Sequence, residues 1–321
     1  MDYRGLLDFI IIRIPGLSPR DRLRLCKTLD REDEISVLSI KDIEKITGKS
    51  LSRYPFVMDD IRSQAERDCR NARLRGIETV SYRDSRYPPL LRETSDPPVV
   101  LFYRGSLPDQ EKPLVGIVGT RRPTGPGASQ AYDFARSLGR AGISVVSGLA
   151  LGIDAMAHRG SIDAGVPGIA VLGSGADEIY PAANRILAVR LVENGGALVS
   201  EYPPGTPANK WQFPARNRII AGLCRGTIIV EAPENSGALI TAQFALDQNR
   251  DLWVGSAGVA SPLGGGTGAL REQGAPVLDS VDPILSDWNI RYDTADHGQG
   301  GGSFLGESLA RTLNIVLQRQ E

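Results

Sequence analysis

The sequence predicts an α/β protein: a doubly wound, mostly parallel sheet preceded by a small all-helical segment. Three observations carry this. From Pro113 to about Leu285, short near-continuous apolar runs alternate with stretches of helical periodicity, the pattern of strands covered on both faces by crossover helices. Before about residue 72, apolar residues recur at helical spacing in a charged background. The 321 residues are 41% apolar and 23% charged, an ordinary globular composition with room for two folded units.

Leu6, Leu7, Ile10 and Ile11 mark a first helix, and Ile14-Pro15-Gly16-Leu17-Ser18 breaks it. Ser18 followed by Pro19 opens a second helix, since serine caps well and proline suits a first helical position. Ile46-Thr47-Gly48 closes a later one. Two readings of residues 1–72 stand side by side. One is a helix-hairpin-helix or SAM-like module whose turn amides meet phosphates; the other is a purely structural bundle. Strand candidates Thr79–Tyr82 and Val99–Tyr103 follow, separated by Tyr87-Pro88-Pro89 and Asp96-Pro97-Pro98, prolines that interrupt helices. They are expected to add edge strands. The sheet itself is predicted at Leu114–Val118, Ile143–Val146, Gly168–Leu172, Leu198–Glu201, Thr227–Val230 and Leu252–Val254. Ala131, Phe134, Ala135, Leu138 and Ala141 form the apolar stripe of one crossover helix. From Asp293 the composition becomes that of a glycine-rich linker, then of one short helix. The expected organisation is therefore 1–72 helical, 73–290 α/β, and 291–321 linker plus helix.

The formal net charge is −1, so no global basic field advertises a polyanion. Between Pro113 and Arg225, eleven Lys and Arg stand against seven Asp and Glu, a local excess of four, which permits an anionic ligand. Cys26, Cys69 and Cys224 are scattered, which argues against a disulfide scaffold and fits a reducing compartment. With only His158 and His297, no Cys/His zinc cluster is expected. The N-terminal apolar run is short and interrupted by Asp2, Arg4 and Asp8, so neither a signal peptide nor a membrane span is expected and the placement reads as cytoplasmic.

Ligands of open parallel sheets bind beyond the carboxyl ends of the strands, and four loops there stand out. In the first, Gly119-Thr120-Arg121-Arg122 precedes Pro123-Thr124-Gly125. Its spacing is not that of a dinucleotide turn, and its two arginines favour a phosphate or phosphodiester. The second, Ser147-Gly148, offers a hydroxyl and an amide ahead of Gly152-Ile153-Asp154, where Asp154 suits a helix cap and the following His158 reads as structural. The third interleaves Lys210, Arg216 and Arg218 with Trp211 and Phe213, the mixture of cations and flat faces that suits single-stranded nucleic acid. Pro214 is expected to start a helix whose first turn holds Arg216, Asn217 and Arg218; cations there oppose the helix dipole, which an anion bound at the turn explains. In the fourth loop, Ser236-Gly237 opens a helix, either as a plain cap or as a phosphate contact.

Taken together, these loops resemble the DNA-processing protein A (DprA/Smf) family. The resemblance rests on Gly119-Thr120-Arg121, on Ser147-Gly148 with Gly152-Ile153-Asp154, and on the run FPARNRIIAGL from Phe213 to Leu223 with Lys210 ahead of it. SGALITA from Ser236 to Ala242 and the YPPLLRETSDPPVVLFYRG lead-in extend it. It implies an extended Rossmann-like domain that binds single-stranded DNA in a positive pocket, forms a homodimer, and delivers DNA to the RecA recombinase during natural transformation. The implied DNA contacts are Arg121, Gly148, Lys210 and Phe213, with Arg216, Asn217 and Arg218 supporting. Neither catalysis nor a cofactor is expected. Two departures from the family pattern stand out: Gly255-Ser256-Ala257 stands where many members carry a Pro-Gly run, and after the glycine-rich linker one short helix is expected in place of the winged-helix domain that many members carry. The rival reading is a nucleotide-binding or nucleotide-hydrolysing enzyme of the lysine-decarboxylase-like phosphoribohydrolase type, on the strength of Gly264-Gly265-Gly266-Thr267 and Glu272.

Overall fold

Nine strands form one sheet in the order β1-β2-β6-β5-β4-β3-β7-β8-β9. The computed structural model describes residues 4–30, 34–35, 38–107, 109 and 111–290; the linker and helix expected over 291–321 lie outside the described residues. The parallel part comprises β3 (Leu114–Val118), β4 (Ser144–Ser147), β5 (Ile169–Val171), β6 (Ala197–Ser200), β7 (Gly226–Ile229), β8 (Asp251–Gly255) and β9 (Val277–Leu278). At one edge, β1 (Glu78–Ser81) and β2 (Val100–Gly105) continue the sheet antiparallel through β6. Chain order runs outward from β3 to β6, then returns to the other side of β3 with β7. The crevice where strand order reverses therefore opens between β3 and β7, the usual ligand position of such sheets.

Helices cover both faces. On one, α6 (Gly125–Arg140), α7 (Ile153–Asp163) and α8 (Arg185–Glu193) pack in succession; on the other lie α9 (Gln212–Leu223) and α10 (Ala238–Asp247). The two-residue period of the strands sorts the core accordingly. Val146, Val171 and Val199 join Ile219, Ile220 and Leu223 of α9, whereas Ala170, Leu172 and Leu198 join Leu187 and Leu191 of α8. Each of the valine, leucine and isoleucine side chains contributes roughly 1.5–3 kcal/mol by leaving water. The sheet is completed by the short α11 (Ser256–Ala260), α12 (Gly265–Glu272) and α13 (Asp282–Asp287).

The helical segment contains α1 (Arg4–Arg13), α2 (Pro19–Thr28), α3 (Ile40–Thr47) and α4 (Met58–Leu74); α5 (Pro89–Arg92) sits in the bridge. Ser18 caps α2 through a reciprocal bond with Asp21, with Pro19 in the first turn, and Gly48 ends α3 in the left-handed conformation. The core of this segment runs on into the sheet: Leu7, Ile10, Leu25 and Ile43 pack together with Val99, Val100 and Phe102, and Phe9 meets Phe102 edge to face at 5.4 Å. The described residues form one compact unit. Among the described residues no helix is long and apolar enough to cross a membrane.

Candidate nucleic-acid interface

The reversal crevice is occupied from within. Glu231, at the end of β7, is fully buried, and its Oε2 accepts from the Thr124 amide at 2.9 Å and the Thr124 hydroxyl at 3.1 Å. Its Oε1 accepts from the Ser261 hydroxyl at 2.6 Å, and its carbonyl accepts from the Thr120 amide at 2.7 Å. Hydrogen bonds to a charged group contribute roughly 1.5–3 kcal/mol each, so this carboxylate ties three loops together. It also sits at the N-terminus of α6, where a nucleotide phosphate would otherwise meet the positive end of the helix dipole. Gly119 makes the closure possible. A Cβ there would stand 2.6 Å from Ile153 and 2.8 Å from the Glu231 carbonyl.

The open part of the loop cluster lies beside this plug, over β3, β5 and β6. Arg121 is exposed and holds its guanidinium 5.6 Å from the centre of the Phe213 ring, a cation–π contact. Tyr180, about half exposed, also meets the Phe213 ring, tilted by 43° with ring centres 5.5 Å apart. Lys210 stands exposed at the start of α9, and Arg122 is exposed next to Arg121. Neither Lys210 nor Arg122 has a carboxylate within ion-pair distance among the described residues. Arg121 thus sits on a two-ring aromatic platform, with exposed Lys210 three residues before Phe213 and exposed Arg122 next in the chain to Arg121. Tyr180 carries no basic neighbour in the sequence, and only the fold brings it to Phe213.

Five of the expected contact residues turn inward instead. The Ser147 hydroxyl donates to the Ile117 carbonyl at 2.7 Å, joining β4 to β3. The Gly148 amide donates to Asp154 at 3.1 Å, and its carbonyl accepts from Arg216 at 2.6 Å. Arg216 is buried, also donates to the Val171 carbonyl, and lies 4.0 Å from the Asp154 carboxylate. A Cβ on residue 148 would overlap that guanidinium, so glycine there makes room for an internal arginine. Asn217 accepts from Arg216 and donates to the Gly237 carbonyl at 3.1 Å. Arg218 is buried between Glu201 at 2.5 Å and Asp96 at 3.5 Å. The helix starts at Gln212 and not at Pro214. The anion that compensates its early cations is therefore internal: Asp154 for Arg216, Glu201 and Asp96 for Arg218. Burial pushes the Asp154 carboxyl up and the Arg216 guanidinium down to about 10, each opposed by the attraction of the other.

His158 is buried beside this pair, and neither ring nitrogen finds a hydrogen-bond partner among the described residues. Burial, then Arg216, lowers its pKa to about 3, so it is neutral in the folded protein. Asp154 is not the helix cap the sequence suggested: α7 starts after Gly152 without a side-chain cap, and the Asp154 carboxylate instead takes the amides of Gly148 and Ala150 from the preceding loop. Ser236 accepts from the Ala238 amide at 3.2 Å, and Gly237 is exposed at the start of α10, tied to α9 by Asn217. In the segment that suggested the rival enzyme, the Gly266 and Thr267 amides both go to the Ala232 carbonyl. Glu272 ends α12 in solvent. That turn therefore spends its amides on the protein itself.

The profile of the DNA recombination-mediator protein A family matches residues 78–289. This chain belongs to that family. The DNA processing protein DprA of Bacillus subtilis is 41% identical over 224 residues, 68% of this chain and 75% of the relative. That of Streptococcus pneumoniae is 35% identical over 275 residues, 86% of this chain and 95% of the relative. The X-ray structure of the S. pneumoniae DprA superposes with a TM-score of 0.74 at 32% identity, over 91% of this chain and all of that one. A structure of DNA processing protein A from Helicobacter pylori, described for its single-stranded DNA binding mode, gives 0.59 at 27% identity, over 68% of this chain and 97% of that one. The family places the fold as Rossmann-like and the role in DNA processing.

Proposed function

We propose that this protein binds single-stranded DNA, without catalysing a reaction on it, in the mouth formed by Gly119, Thr120, Arg121, Lys210 and Phe213. The observation that carries the reading is the Arg121–Phe213–Tyr180 cluster, with exposed Lys210 three residues before Phe213. Cations meet the phosphodiester backbone while flat rings meet unstacked bases, and each stacked base contributes about 1–3 kcal/mol. Ser236 and Gly237 border the same end of the sheet and extend the track. Ser147, Gly148, Arg216, Asn217 and Arg218 act as its scaffold. A mononucleotide enzyme is disfavoured by Glu231, whose carboxylate holds the helix end that a nucleotide phosphate needs. Membership of a recombination-mediator family supports the further steps: the protein works as a homodimer and hands its DNA to the RecA recombinase.

The test is fluorescence anisotropy of a labelled oligothymidine, with matched duplex and a Lys210→Ala variant alongside. Single strand is expected to bind well ahead of duplex, with the variant weakened by about tenfold or more. Equal binding of both forms, or none, contradicts the reading.

A further inference from the structure

The pocket does not use the most exposed large aromatic side chain among the described residues. Trp211 is 65% exposed, next to Lys210, and its indole N–H has no partner among the described residues. Burying such a ring is favourable, so its exposure needs a reason. The ring is also held in place. Tyr202 meets it edge to face, with centres 5.9 Å apart and planes at 87°. Burial, and then the neighbouring Glu201 carboxylate, pushes the Tyr202 phenol pKa up. Glu201 is in turn gripped by Arg218, which Asp96 holds from its other side. Arg22 of α2 adds its charge beside Glu201 and Tyr202. A solvent-facing indole therefore rests on a buried ionic frame to which the helical segment contributes.

Position sets what this ring can reach. Trp211 already has helical backbone angles, φ −73° and ψ −20°, and residues two apart in a helix point about 200° apart. Phe213 faces Arg121 and Tyr180; Trp211 faces the opposite side of the same first turn. A strand that touches both must cross the N-terminal end of α9 beside Lys210, where helix amides favour phosphate.

Resting on the single-strand reading above, we infer that the Trp211–Tyr202 pair is a second base-stacking station, outside the pocket, to which the DNA passes from Phe213 across Lys210. Arg218 and Arg22 are positioning residues for it, acting through Glu201 and Tyr202.

Tryptophan emission tests this directly, because Trp253 and Trp288 are buried, 5% and 7% exposed, and packed on each other. Saturating oligothymidine is expected to quench the emission of the native protein and to leave a Trp211→Phe variant unquenched. By anisotropy, Trp211→Ala is expected to bind a dodecamer about tenfold more weakly, with Trp211→Phe restoring most of the affinity. Thermal unfolding of both variants should match the native protein, as the side chain lies in solvent. Saturable binding with unchanged emission, or native affinity in Trp211→Ala, overturns the second station and leaves the pocket standing. Failure of the native protein to bind any oligothymidine overturns the pocket reading and this station with it.

Discussion

Within nine residues of chain, the start of α9 holds two kinds of cation. Lys210, like Arg121 and Arg122 of the first loop, stands in solvent without a salt-bridge partner among the described residues. Arg216 and Arg218 are buried and matched by Asp154, Glu201 and Asp96. In a linear sequence the two groups look alike. What separates them is whether the fold supplies a counter-charge: a matched cation fixes structure, and an unmatched exposed one is available to a phosphate. The same contrast holds between the two crevices, since Glu231 closes the one between β3 and β7 and leaves the adjoining mouth open.

The largest effect should come from breaking the inner group. Arg216→Met removes the cation that accompanies buried Asp154 and leaves that carboxylate uncompensated, which costs about 3–5 kcal/mol. Urea unfolding should show it, and the double variant Arg216→Met/Asp154→Leu should recover part of the loss. If the single variant is as stable as the native protein, the inner group is not the scaffold argued here.

A smaller effect should come from His158. Its folded pKa is depressed to about 3 from 6.5, so below pH 6.5 the unfolded chain takes up a proton that the native protein refuses. Stability is therefore lost as pH falls from 6.5 toward 3. At pH 4.5 the loss amounts to about 3 kcal/mol, from roughly 1.4 kcal/mol per pH unit. Unfolding of His158→Leu should be flatter than native over that window. Parallel profiles for the two proteins would remove the buried neutral histidine from the account.

The fold was legible because each parallel strand is an apolar run and each crossover a helical stripe. β9 escaped because two residues, Val277 and Leu278, make no pattern. Pro214 misled by two residues: proline is tolerated throughout a helix's first turn, where amides lack intrahelical partners. At the site, Arg121, Lys210 and Phe213 were legible as cations near a ring. The inward bonds of Ser147, Gly148, Arg216, Asn217 and Arg218 were not, since they depend on partners such as Ile117, Asp154 and Asp96 that only the fold brings up. Tyr180 lies thirty-three residues before Phe213, and Glu231 is one carboxylate among many until its burial is known.

The salt dependence of oligothymidine binding tests the division between the two groups most directly. Each phosphate neutralised on a single strand contributes about 0.7 to the slope of log K against log salt. Lys210→Gln and Arg121→Gln should each lower that slope by about 0.7 with stability changed by no more than about 0.5 kcal/mol. Arg218→Met should lower stability and leave the slope of the folded protein unchanged. A slope that falls with Arg218→Met, or holds with Lys210→Gln, would contradict the account.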